Sequence, residues 1–176
     1  RELQATVRYQ FGRQVMNASY VRSSSIGDLN DYNQFFGNAP VPVIRPNERN
    51  RLAFDAPNRL LFWGEFQAPL KITLAPVVDV HTGFPYSIFD EERDFIGARN
   101  RAGRFPRFAS VDLQATKQIT IPIGGKKYKA RVGVRIFNLL NHYNPRDVQA
   151  NMASPRFGTF FNSVDRLLRG KFVVEY

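Results

Sequence analysis

Apolar and polar residues alternate along most of this chain, and helical spacing is weak throughout. In 3–11 the odd positions Leu3, Ala5, Val7, Tyr9 and Phe11 are apolar or small, and Gln4, Thr6, Arg8 and Gln10 between them are polar. That is a strand with one wet face. Gly12-Arg13 reads as a turn, and 14–24 as a second strand with Met16, Ala18 and Tyr20 on its apolar side. The stretch 25–51, rich in Asn, Pro and Gly, reads as a loop. A third strand is predicted over 52–66, with Leu60, Phe62, Gly64 and Phe66 on one face, then a turn at 67–70. A fourth follows over 71–82, with Ile72, Leu74, Val78 and Val80 opposite Thr73, Asp79 and His81. Its Pro76 predicts a bulge or a strand end. After a charged loop, 83–106, a fifth strand over 107–119 sets Ala109, Val111, Leu113 and Ala115 against Ser110, Asp112, Gln114 and Thr116. The turn 120–126 leads to a sixth, 127–139, with Tyr128, Ala130, Val132, Val134 and Ile136 against Lys129, Arg131 and Arg135. Following the loop 140–162, the last strand is 163–176, with Leu168, Gly170, Phe172, Val174 and Tyr176 opposite Arg169, Lys171 and Glu175.

The connections alternate short and long. An outer-membrane barrel segregates its loops in this way, with short periplasmic turns and long extracellular loops. Strands of about 10–14 residues also match a tilted membrane-spanning strand, whereas strands of soluble proteins average about 5–6. The predicted fold is therefore all-β: an antiparallel transmembrane β-barrel segment of about seven long strands, with the C-terminus periplasmic. Seven strands alone leave two open edges, which lipid does not tolerate, and bacterial barrels favour even numbers. The whole of 1–176 is thus expected to be the C-terminal part of a larger barrel, an incomplete domain that begins in mid-sheet. A soluble all-β domain is the competing reading of the same alternation.

Composition narrows the function classes. The chain has 176 residues and no cysteine, which removes disulfide frameworks, thiolate metal sites and cysteine nucleophiles. With 14% aromatic residues it is too aromatic for disorder. No continuous apolar run is long enough for a transmembrane helix. The net charge of +10 points to nucleic acid or to an anionic surface. Nucleic-acid binding needs aromatics interleaved with basic residues on one face, and here most aromatics fall on the apolar faces or in loops. Basic loops and wet strand faces instead suit a phosphate-rich outer leaflet.

Several segments resemble the C-terminal end of a TonB-dependent receptor. They are Gly103-Arg-Phe-Pro-Arg-Phe-Ala-Ser-Val-Asp-Leu-Gln-Ala-Thr-Lys117, Val132-Gly-Val-Arg-Ile-Phe-Asn-Leu-Leu-Asn-His-Tyr-Asn-Pro-Arg-Asp147, and Phe157-Gly-Thr-Phe-Phe-Asn162 through to Tyr176. Asp55-Ala-Pro-Asn-Arg59 and His81-Thr-Gly-Phe-Pro-Tyr86 fit as well. The chain is most similar to the Oar-like subgroup, of acidobacterial type, that carries a carboxypeptidase-regulatory-like domain. The resemblance implies a barrel of about 22 strands around a plug. It also implies energised import of a ligand across the outer membrane, and the TonB complex, reached through an N-terminal part, as a partner. Other implied partners are the rest of the barrel with its plug, and outer-membrane lipid and lipopolysaccharide.

Candidate residues follow from placement. Phe172, Val174 and Tyr176 resemble the terminal signal read by the barrel assembly machinery, a strand-addition mode of recognition. Val111, Leu113, Val132, Val134, Leu168 and Phe172 are expected to face lipid. Asp79, Asp112, Lys129, Arg131, Arg135, Arg169 and Lys171 are expected to face the lumen, with Arg8, Thr73 and Gln114. Tyr9, Phe11, Tyr20, Phe66 and Tyr128 are girdle candidates near strand ends, and Trp63 falls on the polar face. Arg93, Arg99, Arg101, Arg104 and Arg107 crowd one long loop, the first four as candidates for lipopolysaccharide or ligand capture. The alternative for them is internal pairing with Asp90, Glu91, Glu92 and Asp94. Asn141, His142, Asn144, Arg146 and Asp147 read as a loop-structuring cluster. Asp79 and His81 share a face without a third ligand, so no metal site is predicted. No catalytic set, phosphate-binding glycine loop or cofactor motif is present in the sequence. The chain is read as no enzyme, without cofactors. A structural or adhesive surface β-protein is the main alternative to transport, and a soluble nucleic-acid-binding module the remote one.

Overall fold

Period-two alternation dictates extended backbone with two unlike faces, and the chain builds its sheet from it. The computed structural model describes residues 1–28, 49–92 and 94–175. Seven long strands form one sheet: β1 (Glu2–Phe11), β2 (Gln14–Ser23), β3 (Asn58–Ala68), β4 (Ile72–His81), β5 (Phe108–Ile123), β6 (Lys126–Phe137) and β7 (Leu167–Glu175). Each is antiparallel to its sequence neighbour, so spatial order equals chain order and β1 and β7 are the two edges. The protein is all-β and antiparallel, and no described helix is long and apolar enough to cross a membrane.

All three short connections lie at one end: Gly12-Arg13, the turn Pro69–Lys71, and Gly124-Gly125. Gly12, Gly124 and Gly125 have positive φ, the left-handed backbone that a tight hairpin requires. Three long connections lie at the other end. Among the described residues they hold four two-stranded ladders: Ile26–Gly27 with Asn50–Arg51, Pro85–Tyr86 with Gly103–Arg104, Ile88–Phe89 with Phe95–Ile96, and Asp147–Val148 with Phe160–Phe161.

Three expected boundaries move, and one expected interruption does not occur. The third strand starts at Asn58, not at 52, because the preceding segment is tied elsewhere: Ser25 N–H donates to Asp55 Oδ1 at 2.7 Å. The fifth strand runs on to Ile123, pairing with Lys126, so the expected turn shrinks to two glycines. The last strand starts at Leu167 rather than 163. Pro76 makes neither a bulge nor an end. β4 continues through it in unbroken register with β5, and only the rungs to Gly64 and Glu65 of β3 drop out, as a missing N–H dictates.

Register carries one face across all seven strands. Val7 lies opposite Ala18, which meets Phe62, then Val78, then Val111. Farther along, Leu113 meets Ile136 and Leu168, and Val132 meets Phe172. The charged members of this face are Arg22, opposite Leu3 at the loop end, Lys117 beside Ile72, and Lys126 at the last hairpin. Gly64 lies on the same face under the Phe66 ring, where an added Cβ would stand 2.9 Å from Phe66 Cε2 and 2.7 Å from Val15 O.

The core is not on this sheet. Phe89, Val148 and Ala150, all in the long connections, form the buried apolar cluster, with Tyr86, Phe95, Phe105 and Phe160 packed around it. Among described sheet residues only Ala130 is a buried hydrophobic. The apolar face stays open, with Phe11 71% and Phe172 61% exposed.

Candidate functional site

The opposite face of the sheet is polar. Asp79, Asp112, Lys129, Arg131, Arg135, Arg169 and Lys171 share it by register, with Arg8, Thr73, Gln114 and Trp63. Val111, Leu113, Val132, Val134, Leu168 and Phe172 share the other. Cross-strand hydrogen bonds line the polar side. Arg59 grips Asp79 with Nη2 at 2.7 Å and Nε at 3.2 Å, and Gln4 Nε2 donates to Ser19 Oγ at 3.2 Å. Toward the last strands this face turns basic: Arg135 lies opposite Arg169, and both guanidinia stand over the Phe137 ring, at 4.6 and 5.3 Å from its centre.

At the loop end of the polar face the second and third long connections enclose a cavity of about 440 Å³. Its floor is strand: His81, Phe108, Ser110, Asp112 and Phe137. Its roof is loop, including Phe84, Phe105, Asn144, Arg146 and Asp165. The His81 ring is held between two phenylalanines, stacked on Phe108 at 4.7 Å and tilted against Phe84 at 5.0 Å. His81 Nδ1 lies 2.8 Å from the Thr82 carbonyl, which only accepts, so Nδ1 carries a proton and, in the neutral ring, Nε2 is the acceptor. Asp112 Oδ1 accepts from Ser110 Oγ at 2.8 Å and from Asn138 N–H at 3.0 Å.

Asn138 folds the roof back over the floor. It is buried and left-handed, at φ 49°. Its Oδ1 accepts from His142 N–H at 2.9 Å, and its Nδ2 donates to His142 O at 2.9 Å and to Val164 O at 3.1 Å. Asn144 does the same at the loop end of β5, accepting from Ala109 N–H at 3.0 Å and donating to Ala109 O at 2.9 Å. Asn141 Oδ1 accepts from Arg166 N–H, and Asp147 Oδ2 from Asn162 Nδ2. The loop-structuring cluster expected around Asn141–Asp147 is therefore what holds this end, with Asn138 as its centre.

Two of the four candidate arginines, Arg99 and Arg104, are not exposed ligand-capturing arms. Arg99 is buried at 3% exposure and its Nη2 donates to Gly27 O at 2.6 Å. Arg104 forms an ion pair with the buried Asp55 and donates to the Asp55 and Gly83 carbonyls at 2.6 and 3.1 Å. Both tie the second connection to the first, which corrects the ligand-capture expectation for them. Of the nearby acids, Asp90 holds its own turn: Asp94 N–H donates to Asp90 Oδ1 at 2.8 Å. Arg101 is exposed. Arg93, Tyr176 and the side chain of Val174 lie outside the described residues.

Sequence reading missed the cavity because its walls come from two loops and three strands. One signal was available: His81, Phe108 and Phe137 are aromatic residues on the polar side of three neighbouring strand ends. Among the described residues no group of His, Asp and Glu is placed to hold a metal ion. Comparison with known proteins adds no identity: no family model, no curated protein and no solved structure matches this chain.

Proposed function

We propose that this chain is the C-terminal wall section of an outer-membrane β-barrel, in a TonB-dependent receptor of the Oar-like kind that its motifs resemble. The uncovered apolar face carries this reading. A soluble protein buries such a face under a second layer, and contiguous apolar patches beyond a few hundred Å² mark a protein or membrane partner. Here the face runs over seven strands, with charge only at Arg22, Lys117 and Lys126. Lipid is a solvent that suits it, and segregated loop lengths support the same orientation.

In this reading the polar face lines a lumen occupied by a plug, and the edges β1 and β7 pair with further strands of the same barrel. The long connections face outward, toward lipopolysaccharide, and 172–176 offers its alternating side chains to the assembly machinery. The chain does no chemistry of its own; import is driven by the TonB complex through the receptor's N-terminal part. The test is fractionation. The full-length protein, expressed in a Gram-negative host, is expected in the outer membrane, with heat-modifiable gel mobility. Recovery as a monodisperse species in buffer without detergent sinks the proposal.

A further inference from the structure

We propose that the cavity at the loop end binds a small organic ammonium: a protonated amine joined to an apolar or aromatic body. At about 440 Å³ the cavity is in the range of small-molecule sites. Its walls divide into two chemistries. One is aromatic, from Phe84, Phe105 and Phe108 with the His81 ring, and ring faces attract cations. The other consists of hydrogen-bond acceptors. With its Nδ1–H given to Thr82 O, the neutral His81 ring has Nε2 as an acceptor. Asp112 uses Oδ1 on Ser110 and Asn138, which leaves Oδ2 as an acceptor, and Asp165 adds a second carboxylate.

The charge balance agrees. Arg146 is the one lysine or arginine in the lining, against Asp112 and Asp165. In a chain of net charge +10, this cavity is thus a local site of negative balance. Arg135 and Arg169 stand on Phe137 but are not among the lining residues. A carboxylate ligand would meet Asp112 and Asp165. A quaternary ammonium would satisfy the rings but leave the acceptors unpaired, so an N–H-bearing ammonium fits better. The inference rests on the barrel reading only in assigning the cavity to the outer mouth.

The test is equilibrium binding to the full-length protein in detergent micelles, which needs neither transport nor the TonB complex. The probes are 2-phenylethylamine, 2-phenylethanol and 3-phenylpropionate: one body with positive, neutral and negative heads. The amine is expected to bind at least tenfold more tightly than the other two, and Asp112→Asn to weaken it about tenfold, as loss of a charge-assisted bond implies. Asp165→Asn, at an exposed position, is expected to weaken it several-fold without disturbing the fold. Equal or tighter binding of the carboxylate, no measurable binding of the amine at millimolar concentration, or indifference to both substitutions overturns the proposal. A soluble protein that still prefers the amine would remove the membrane reading and leave the cavity assignment standing.

Discussion

The sheet and its loop cap invert the usual division of labour in a β-protein. Sheets normally bury an apolar face and loops run over the surface, exposed and polar. Here the sheet keeps Leu3, Val7, Phe11, Leu168 and Phe172 more than half exposed, while the long connections enclose Phe89, Val148 and Ala150. The contrast says which medium each part is built for. A loop cluster that makes its own dry core, with side chains of Asn138, Asn144 and Asp55 satisfying backbone groups, is built to stand in water. A sheet whose internal strands are paired on both sides, and whose apolar face is covered by no second layer among the described residues, is built to have something apolar laid against it.

The sharpest way to break the comparison is to charge each face in turn. Val134→Arg places a guanidinium mid-strand on the open apolar face, between Ala115 and Gly170. If that face meets lipid, the cost is about 2–4 kcal/mol near the midplane, and the full-length protein should lose heat-modifiable mobility. Arg131→Glu, one strand position from Val132 on the other face, should assemble normally. Equal tolerance would mean that the apolar face meets no lipid. Next comes the loop core. Phe89→Ala should cost about 3–5 kcal/mol, but locally: amide exchange should rise in 84–105 and 146–162 while the seven strands keep their protection. Unfolding of the sheet together with the loops would show one cooperative unit instead of two.

These two regions were also unequally legible in the sequence. The sheet was readable because period-two alternation persists over every long strand, and one register error would have turned Val132 and Val134 to the wrong face. Boundaries failed where side chains act at a distance. Asp55 draws the chain away from β3 because Ser25 and Arg104 bind it, and neither partner is a sequence neighbour. The four short ladders are too brief to show any period. The same distance problem misdirected the arginines. Asp90–Asp94 lie beside Arg99 in sequence, whereas Gly27, its acceptor, belongs to the first connection. The Asn141–Asp147 cluster was readable because asparagine acts on backbone nearby, as the Asn138–His142 ring of bonds shows.

Arg104→Met gives a smaller effect and asks how tightly the connections are tied. Asp55 is 4% exposed at its side chain and Arg104 21%, so the substitution leaves a carboxylate without its main partner in a place with little water. Because Arg104 is itself partly wet, the loss should be about 2–3 kcal/mol, below the 3–5 of a fully buried pair. It should appear as faster exchange at Ser23–Ser25 and Thr82–Phe84, at the junction of the first two connections.

The smallest effect is expected at Arg59 and Asp79, and it is the most telling about the polar face. Their geometry is good, two-pronged with contacts of 2.7 and 3.2 Å, yet the side chains are 52% and 22% exposed. If that face borders water, a double-mutant cycle with Arg59→Ala and Asp79→Ala should return a coupling of about 0.5 kcal/mol that fades as salt is raised. If the face is instead packed dry against another layer of protein, the same pair loses solvent screening. The coupling should then exceed about 2 kcal/mol and ignore salt, because desolvated partners are hard to separate. A small, salt-sensitive value keeps the contrast as drawn, with one face wet, the other apolar, and the dry core confined to the loops. A large, salt-insensitive value would mean that the sheet is covered on its polar side as well.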